Sequence, residues 1–442
     1  MTTRQTIAWL RRYESRNVTF LEPDGSWPIV WEQAKGVHVW DAEGKKYLDL
    51  TAAFGVAAAG HANPNVVRAG QKQMAKLLHA MGDVHPHALK AKLARELSRL
   101  TFERWAKKNW KLEIGNWKSG KVIFSNSGFE AVESALKTAM LATGKRGVIA
   151  FEGAYHGLGY GALNATHRDL FRDPFRSQLR EFGHFVKFPT TKAELPLVEK
   201  SLRRIFRREK IGAILVEPVQ ARGGINLPPK EFLPRLRKLC DAHGALLILD
   251  EIYTGFGRTG KWFACEHSQT VPDLICLGKA LTGGFPLSAC VGRANLMDAA
   301  WPASTGEAIH TSTFLGHPVG CALALAQIRE IKRLKLVERS VALGNFLLRE
   351  LDAIKNSKLK IKNSIRGLGL MAGMELTLPG GQPAAQIALD TIKELLHRGY
   401  IFLPEGEHAN VIGFTPPLTI TESQLAKAVA ELKKVLDTAA HR

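Results

Sequence analysis

Asp273-Leu-Ile-Cys-Leu-Gly-Lys279-Ala-Leu-Thr-Gly-Gly-Phe285 puts a lysine where a buried strand should end. Leu274, Ile275 and Leu277 read as that strand. The lysine follows two residues later, ahead of a glycine-rich turn. A lysine so placed either snorkels its ammonium to water or, once desolvated, acts as a Schiff-base nucleophile. Upstream, Leu246-Leu-Ile-Leu-Asp250-Glu251 is a second apolar run, and it ends in a carboxylate pair.

Further runs of the same kind lie on both sides. Val122-Ile-Phe, Gly147–Phe151, Ile211–Val216 and residues 288–292 read as strands. Helices are expected from about Phe129, around Leu202, Ile205 and Phe206, and near 230–243. Apolar strands alternating with helices predict an α/β domain whose mostly parallel sheet is covered on both faces.

The chain ends read differently. Residues 3–14 suit a short helix. Val37–Leu50 alternates around Asp-Ala-Glu-Gly44, a hairpin signal. After Pro318 a helical stretch runs to about residue 352, followed by a Gly-broken strand over 367–376. Thr421-Glu-Ser-Gln424 is a capping box ahead of Leu425, Val429, Leu432 and Leu436. We expect a large domain over 61–325 and a small α+β domain built from 1–60 and 326–442.

Composition excludes several classes. With 442 residues, 45% hydrophobic and 23% charged, the chain is an ordinary globular protein long enough for two domains. The N-terminus lacks the apolar core of a signal peptide, and no apolar run approaches the ~18 residues of a membrane span. The five cysteines form no C-x-x-C pair, so buried free thiols are expected rather than disulfides or a metal site. These features suit a soluble, cytoplasmic protein. The net charge of +20 permits a polyanion partner. Arg104-Trp-Ala-Lys-Lys-Asn-Trp-Lys111, Trp117–Lys121 and Arg203–Arg208 interleave bases with aromatics as single-strand binders do. The alternative is that these are solvated faces, with Ile205 and Phe206 on the core side of an amphipathic helix.

Four strand-end segments carry chemistry. Ser127-Gly128-Phe129-Glu130 joins a strand to a helix, and it is either an ordinary cap or an anion site on free N–H groups. Tyr155-His156-Gly157 follows the next strand. There Tyr155 suits stacking on a flat ring or a place in the core, and His156 suits a structural role. Asp250, at the end of a buried strand, needs a partner. That partner is either a protonated pyridine nitrogen or a cation such as Arg258. Lys279 is the fourth. Anion site, aromatic, acid and lysine in this order meet the requirements of pyridoxal phosphate.

With Tyr47-Leu-Asp, Gly60-His61, Asn126–Ala131, Glu217-Pro-Val-Gln, Gly255–Gly260, His310–Phe314 and Pro416–Ile420, these segments resemble a class III (ornithine-type) aminotransferase from about Gly36 to Leu436. Such enzymes are pyridoxal phosphate enzymes of fold type I. The resemblance implies that Lys279 carries the cofactor and that Asp250 pairs with its ring nitrogen. It implies that Tyr155 and Ile252 cover the ring faces, and that Ser127, Gly128 and Phe129 hold the phosphate. Thr313 is expected to reach the cofactor of a neighbouring subunit, in a homodimer or a tetramer of dimers. Phe54 and Gly55 match a wall of the substrate pocket.

Two departures from the family pattern involve three positions. Tyr253 stands where many members have a glutamine that contacts the cofactor. Arg222 stands where ornithine and 4-aminobutyrate types have a glutamate, and Gly413 where they have the arginine which that glutamate masks. Arg222 is therefore expected to be unpaired near the pocket and to take a substrate carboxylate in a bidentate fork; the alternative is a surface ion pair. The implied activity is ping-pong transfer from a primary amine, ω-amino acid or α-amino acid to a keto acid. Pyruvate is expected over 2-oxoglutarate, and (S)-amines over their mirror images. An aminomutase, racemase or decarboxylase using the same lysine is the nearest rival, and a nucleic-acid-binding protein a distant one.

Overall fold

A computed structural model describes residues 1–108, 110, 118–355 and 362–439. Strands β1 (Trp31–Lys35), β2 (His38–Asp41) and β3 (Lys46–Asp49) open the chain after a helix over Thr3–Tyr13. The expected hairpin is β2 against β3. The middle of the chain supplies β4 (Gly120–Ser125), β5 (Gly147–Phe151), β6 (Gly183–Val186), β7 (Ile211–Val216), β8 (Leu246–Asp250), β9 (Leu274–Leu277) and β10 (Ser288–Arg293). They form one seven-stranded sheet in the order β4-β10-β9-β8-β7-β5-β6. Every pair is parallel except those of β10, which runs antiparallel to β4 and β9.

Why these strands are apolar throughout is visible in where their side chains go. Leu247, Leu249, Ile275 and Leu277 enter one core, and Leu246, Ile248, Leu274 and Cys276 enter another on the opposite face. Successive strand residues point to opposite faces, so a sheet covered on both sides needs apolar residues at every position. Helix Gly128–Thr143 covers the second face, with Ala131, Val132 and Ala135 fully buried. All five cysteines are buried and free.

The C-terminal part adds β11 (Lys362–Gly367), β12 (Ala372–Thr377), β13 (Tyr400–Ile401), β14 (Leu403–Glu405) and β15 (Val411–Phe414). Strand β13 completes the sheet of β1–β3, and the rest form a second four-stranded sheet, β11-β12-β15-β14. The helical stretch after Pro318 is present as two helices, Pro318–Arg333 and Leu336–Lys355, broken at Lys335 with φ +50°. One expectation is corrected here. The expected Gly-broken strand is an antiparallel hairpin of β11 and β12, because Gly369 turns with φ +59°. The Thr421–Gln424 cap is present.

The basic–aromatic segment is partly committed to the core. Trp105 is fully buried against Phe102 and Phe263, and Arg104 pairs with Glu266. Residues 109 and 111–117 lie outside the described residues. Phe206 stacks on His243 at 4.3 Å. Among the described residues no helix is long and apolar enough to cross a membrane.

Candidate active site

Parallel strands deliver their C-terminal ends to one sheet edge, where ligands bind in α/β folds. Here β4, β5, β7, β8 and β9 deliver Gly128, Tyr155, Glu217, Asp250 and Lys279 to a single cavity of about 430 Å³. Phe129, His156, Ala221, Arg222, Ile252 and Tyr253 also line it.

Asp250 is buried, and its Oδ2 lies 2.8 Å from His156 Nδ1 while Oδ1 accepts from the Ile252 N–H. The alternative partner, Arg258, is excluded: it donates to the carbonyls of Leu370 and Pro416. His156 is thus structural, as one reading had it, but in support of the acid. The next residue, Glu251, points to the opposite face, where Thr254 Oγ1 and the N–H groups of Ala264 and Cys265 donate to it. The strand's alternation separates a site acid from a core acid.

Lys279 is held at φ +39°, in the left-handed region that a side chain makes unfavourable. Such strain persists where surrounding structure imposes it, commonly at functional sites. Burial holds the Lys279 amine below the usual lysine range, against the upward pull of Asp250, Glu217 and Glu405. Its Nζ lies 4.7 Å from the Tyr253 ring centroid. Tyr253 is fixed by its hydroxyl, 3.1 Å from Thr415 Oγ1.

The strand-to-helix turn after β4 is a closed cap. The Glu130 carboxylate accepts from the Ser127 N–H at 2.7 Å and from its hydroxyl at 2.9 Å. The first N–H groups of a helix have no partner within it, so this end favours an anion. Gly128 is needed for closeness, since a Cβ there would stand 3.0 Å from Ile252 Cδ1. Residues Ala52–Gly55 form a turn with four successive positive φ angles. Gly55 lies against Tyr253, where a Cβ would come within 2.8 Å of the ring, and Phe54 is half exposed. Thr313 is exposed and does not line the cavity.

The expectation of an unpaired Arg222 is wrong. Its Nη1 lies 3.6 Å from Glu405 Oε2. The partner comes from the end of β14. Gly413 on the adjacent β15 makes the room, because a Cβ there would stand 3.1 Å from Glu405 Cγ. Glu405 is buried, and burial pushes its carboxyl up to about 7 despite Arg222 and Arg168. Glu217, also buried and also pushed up to about 7 by burial, accepts from the Tyr155 and Ala221 N–H groups. Sequence reasoning assigned neither glutamate a role. Glu217 was findable by the argument used for Asp250, an acid ending a buried strand. Glu405 carried no comparable signal.

A phosphate-favouring helix end, a buried acid and a strained buried lysine on one sheet edge define a fold type I transferase site, and similarity to known proteins agrees with it. The family model for "Aminotransferase class-III" matches residues 21–436. A 5-aminovalerate aminotransferase of Pseudomonas aeruginosa is 38% identical, covering 93% of this chain and 94% of its own. A putrescine aminotransferase of Pectobacterium atrosepticum is 37% identical over 92% of this chain and 82% of its own. The crystal structure of a transaminase from a marine Virgibacillus superposes with a TM-score of 0.89 at 26% identity, covering 99% of both chains. The chain belongs to the class III aminotransferases. It is a pyridoxal-phosphate-dependent transaminase acting on amino acids or amines.

Proposed function

We propose that this transaminase moves an amino group from a primary amine or ω-amino acid to a keto acid, preferring pyruvate to 2-oxoglutarate, in a ping-pong cycle. One observation carries the reading: Lys279 and Asp250, from adjacent strands, face one cavity whose floor is a capped helix end. The donor set fits the cofactor. The helix end of Ser127, Gly128 and Phe129 suits its phosphate through the N–H groups of Gly128 and Phe129, since that of Ser127 is held by Glu130; buried Asp250 suits its ring nitrogen, and Tyr155 and Ile252 its two faces. When bound, pyridoxal phosphate supplies a carbonyl to carry the amino group and a cationic ring to take up electrons.

The chain's residues do the rest. Asp250, oriented by His156, keeps the ring nitrogen protonated, since an ion pair favours the charged partner. Lys279 holds the cofactor at rest. Its amine, when neutral and free, would take up the proton that leaves the donor's amine-bearing carbon and hold it for the return step. The depressed lysine pKa assists, because only the neutral amine accepts a proton. Arg222 receives the keto acid's carboxylate. Tyr253 takes the place of the family glutamine, and Phe54 and Gly55 wall the pocket mouth. (S)-amines are the expected enantiomers.

Thr313, exposed on its own subunit, suits a contact to the cofactor of a second copy. This supports a homodimer or a tetramer of dimers with shared sites. The large domain over 61–325, the small one over 1–60 and 326–442, and a cytoplasmic location complete the reading. Partners are small molecules rather than nucleic acid, as the buried Trp105 suggests. A panel of amines against pyruvate and 2-oxoglutarate tests the proposal. Amine loss should require the keto acid in equal amount, with pyruvate the better acceptor. Conversion without any acceptor would instead identify an aminomutase or racemase.

A further inference from the structure

The Lys279 amine stands over the face of the Tyr253 ring, 4.7 Å from its centroid. The two come from adjacent strand ends, Tyr253 three residues past β8 and Lys279 two past β9. A tyrosine face attracts a cation through the ring quadrupole, and the pull grows where water is excluded.

The tyrosine hydroxyl is committed elsewhere. Thr415 Oγ1 lies 3.1 Å from it and donates its one hydrogen to the Thr51 carbonyl, at 3.1 Å. The Tyr253 O–H is therefore the donor to Thr415. Burial holds the phenol above the usual tyrosine range, so it stays protonated. That hydroxyl has no hydrogen left for the cofactor, and what Tyr253 presents to the lysine is its ring.

The ring is held in place from two sides. Gly55, at φ +79°, closes on its Cε1 edge. The turn that carries Gly55 is anchored by Asp49, whose carboxylate accepts from the Thr51 N–H and hydroxyl and from the Ala53 N–H, and lies 2.7 Å from His61 Nε2. The Thr415 N–H donates to the Leu50 carbonyl at 2.8 Å. The ends of β3 and β15 thus fix both the edge of the ring and the tether of its hydroxyl. The charged groups that face Lys279 are Asp250 at the end of β8, Glu217 and Arg222 after β7, and Glu405 on β14. Among the described residues none of them forms an ion pair or hydrogen bond with Nζ, which leaves the ring as its seat.

We propose that the Tyr253 ring face receives the Lys279 ammonium in the interval when the lysine is free of the cofactor. Tyr253 is a positioning residue. The proton passes from the donor's carbon to Nζ and back, and none passes through the phenol. The ring holds the charge that Lys279 gains and keeps the amine at the cavity for the return step. The proposal deepens the transamination described above and rests on Lys279 as its base.

The test uses the holoenzyme after an amine donor has converted the cofactor to its amine form, when Lys279 is free. Acetic anhydride acylates only a neutral amine, so the pH dependence of Lys279 acetylation, read by peptide mass spectrometry, reports the lysine without turnover. Tyr253→Phe keeps the ring and should leave the midpoint within about 0.2 unit of the wild type. Tyr253→Leu removes the ring and should lower the midpoint by about 0.5–1 unit. From the phenylalanine to the leucine variant kcat should fall about three- to thirtyfold, with KM for the keto acid unchanged. Mono-, di- and pentafluorinated phenylalanine at position 253 keep the ring's shape but draw electron density from its face. They should lower the midpoint stepwise, and they decide the matter even where the leucine variant does not fold. A midpoint that stays fixed along the fluorinated series, or a phenylalanine variant shifted as far as the leucine one, would overturn the proposal and leave Lys279 as the base. If an amine donor does not open Lys279 to the reagent in the wild type, the lysine is not the carrier, and the transamination reading falls with the proposal.

Discussion

The two ends of the cavity are built on different principles. At the cofactor end, Ser127, Tyr155, Asp250 and Lys279 each follow a strand of one sheet, and their positions are set by the pairing of β4 through β10. At the substrate end, Arg222 lies six residues beyond β7 of that sheet, but Glu405 comes from β14 in another, with Gly413 giving it space. The first end is as rigid as its sheet. The second is a long-range meeting of the segment after β7 with the end of β14. Chemistry common to a family belongs on the former, and the choice of substrate can vary on the latter without disturbing it.

Substitution at Asp250 tests this contrast with the largest expected effect. Asp250→Asn leaves His156 and the ring nitrogen without their charge partner. Losing one member of a buried ion pair costs about 3–5 kcal/mol, so kcat/KM should fall on the order of 10²–10³-fold. The fall should be equal for every donor. Steady-state kinetics over several donors reads it, and a donor-dependent loss would merge the two ends into one.

A smaller effect separates Asp250 from its neighbour. Glu251 faces the core, where burial pushes its carboxyl up to about 7 from an ordinary value of 4.5. A folded-state pKa above the unfolded one means that the fold favours the protonated acid. Its contribution is complete below about 4.5 and is lost as pH rises through about 7, a change of about 3 kcal/mol. Glu251→Gln does not titrate, so its stability deficit against the wild type should narrow between pH 5 and 8. Urea unfolding at several pH values measures the gap. A gap that stays constant or widens would mean that Glu251 is folded in its ionised form.

The same contrast explains what was legible in the sequence. Continuous apolar runs announced the strands, and polar residues at their ends announced the site, because burial makes such residues expensive without a purpose. Asp250 and Lys279 stood out for that reason. The His156–Asp250 contact was not legible, since a histidine beside a glycine has many ordinary uses. Glu405 was invisible, because its burial depends on the absence of a side chain at Gly413, eight residues further on. The hairpin at 362–377 was misread as one strand, because a glycine in an apolar run signals a break without showing that the chain reverses.

Lys279→Ala, purified and supplied with pyridoxal phosphate, tests the central claim most directly. The wild type should show the ~400–430 nm band of a lysine-bound cofactor and exchange an amine with a keto acid. The variant should lose that band and its turnover together, while its far-ultraviolet circular dichroism stays that of the wild type. A variant that keeps the band, or remains fully active, would contradict the account.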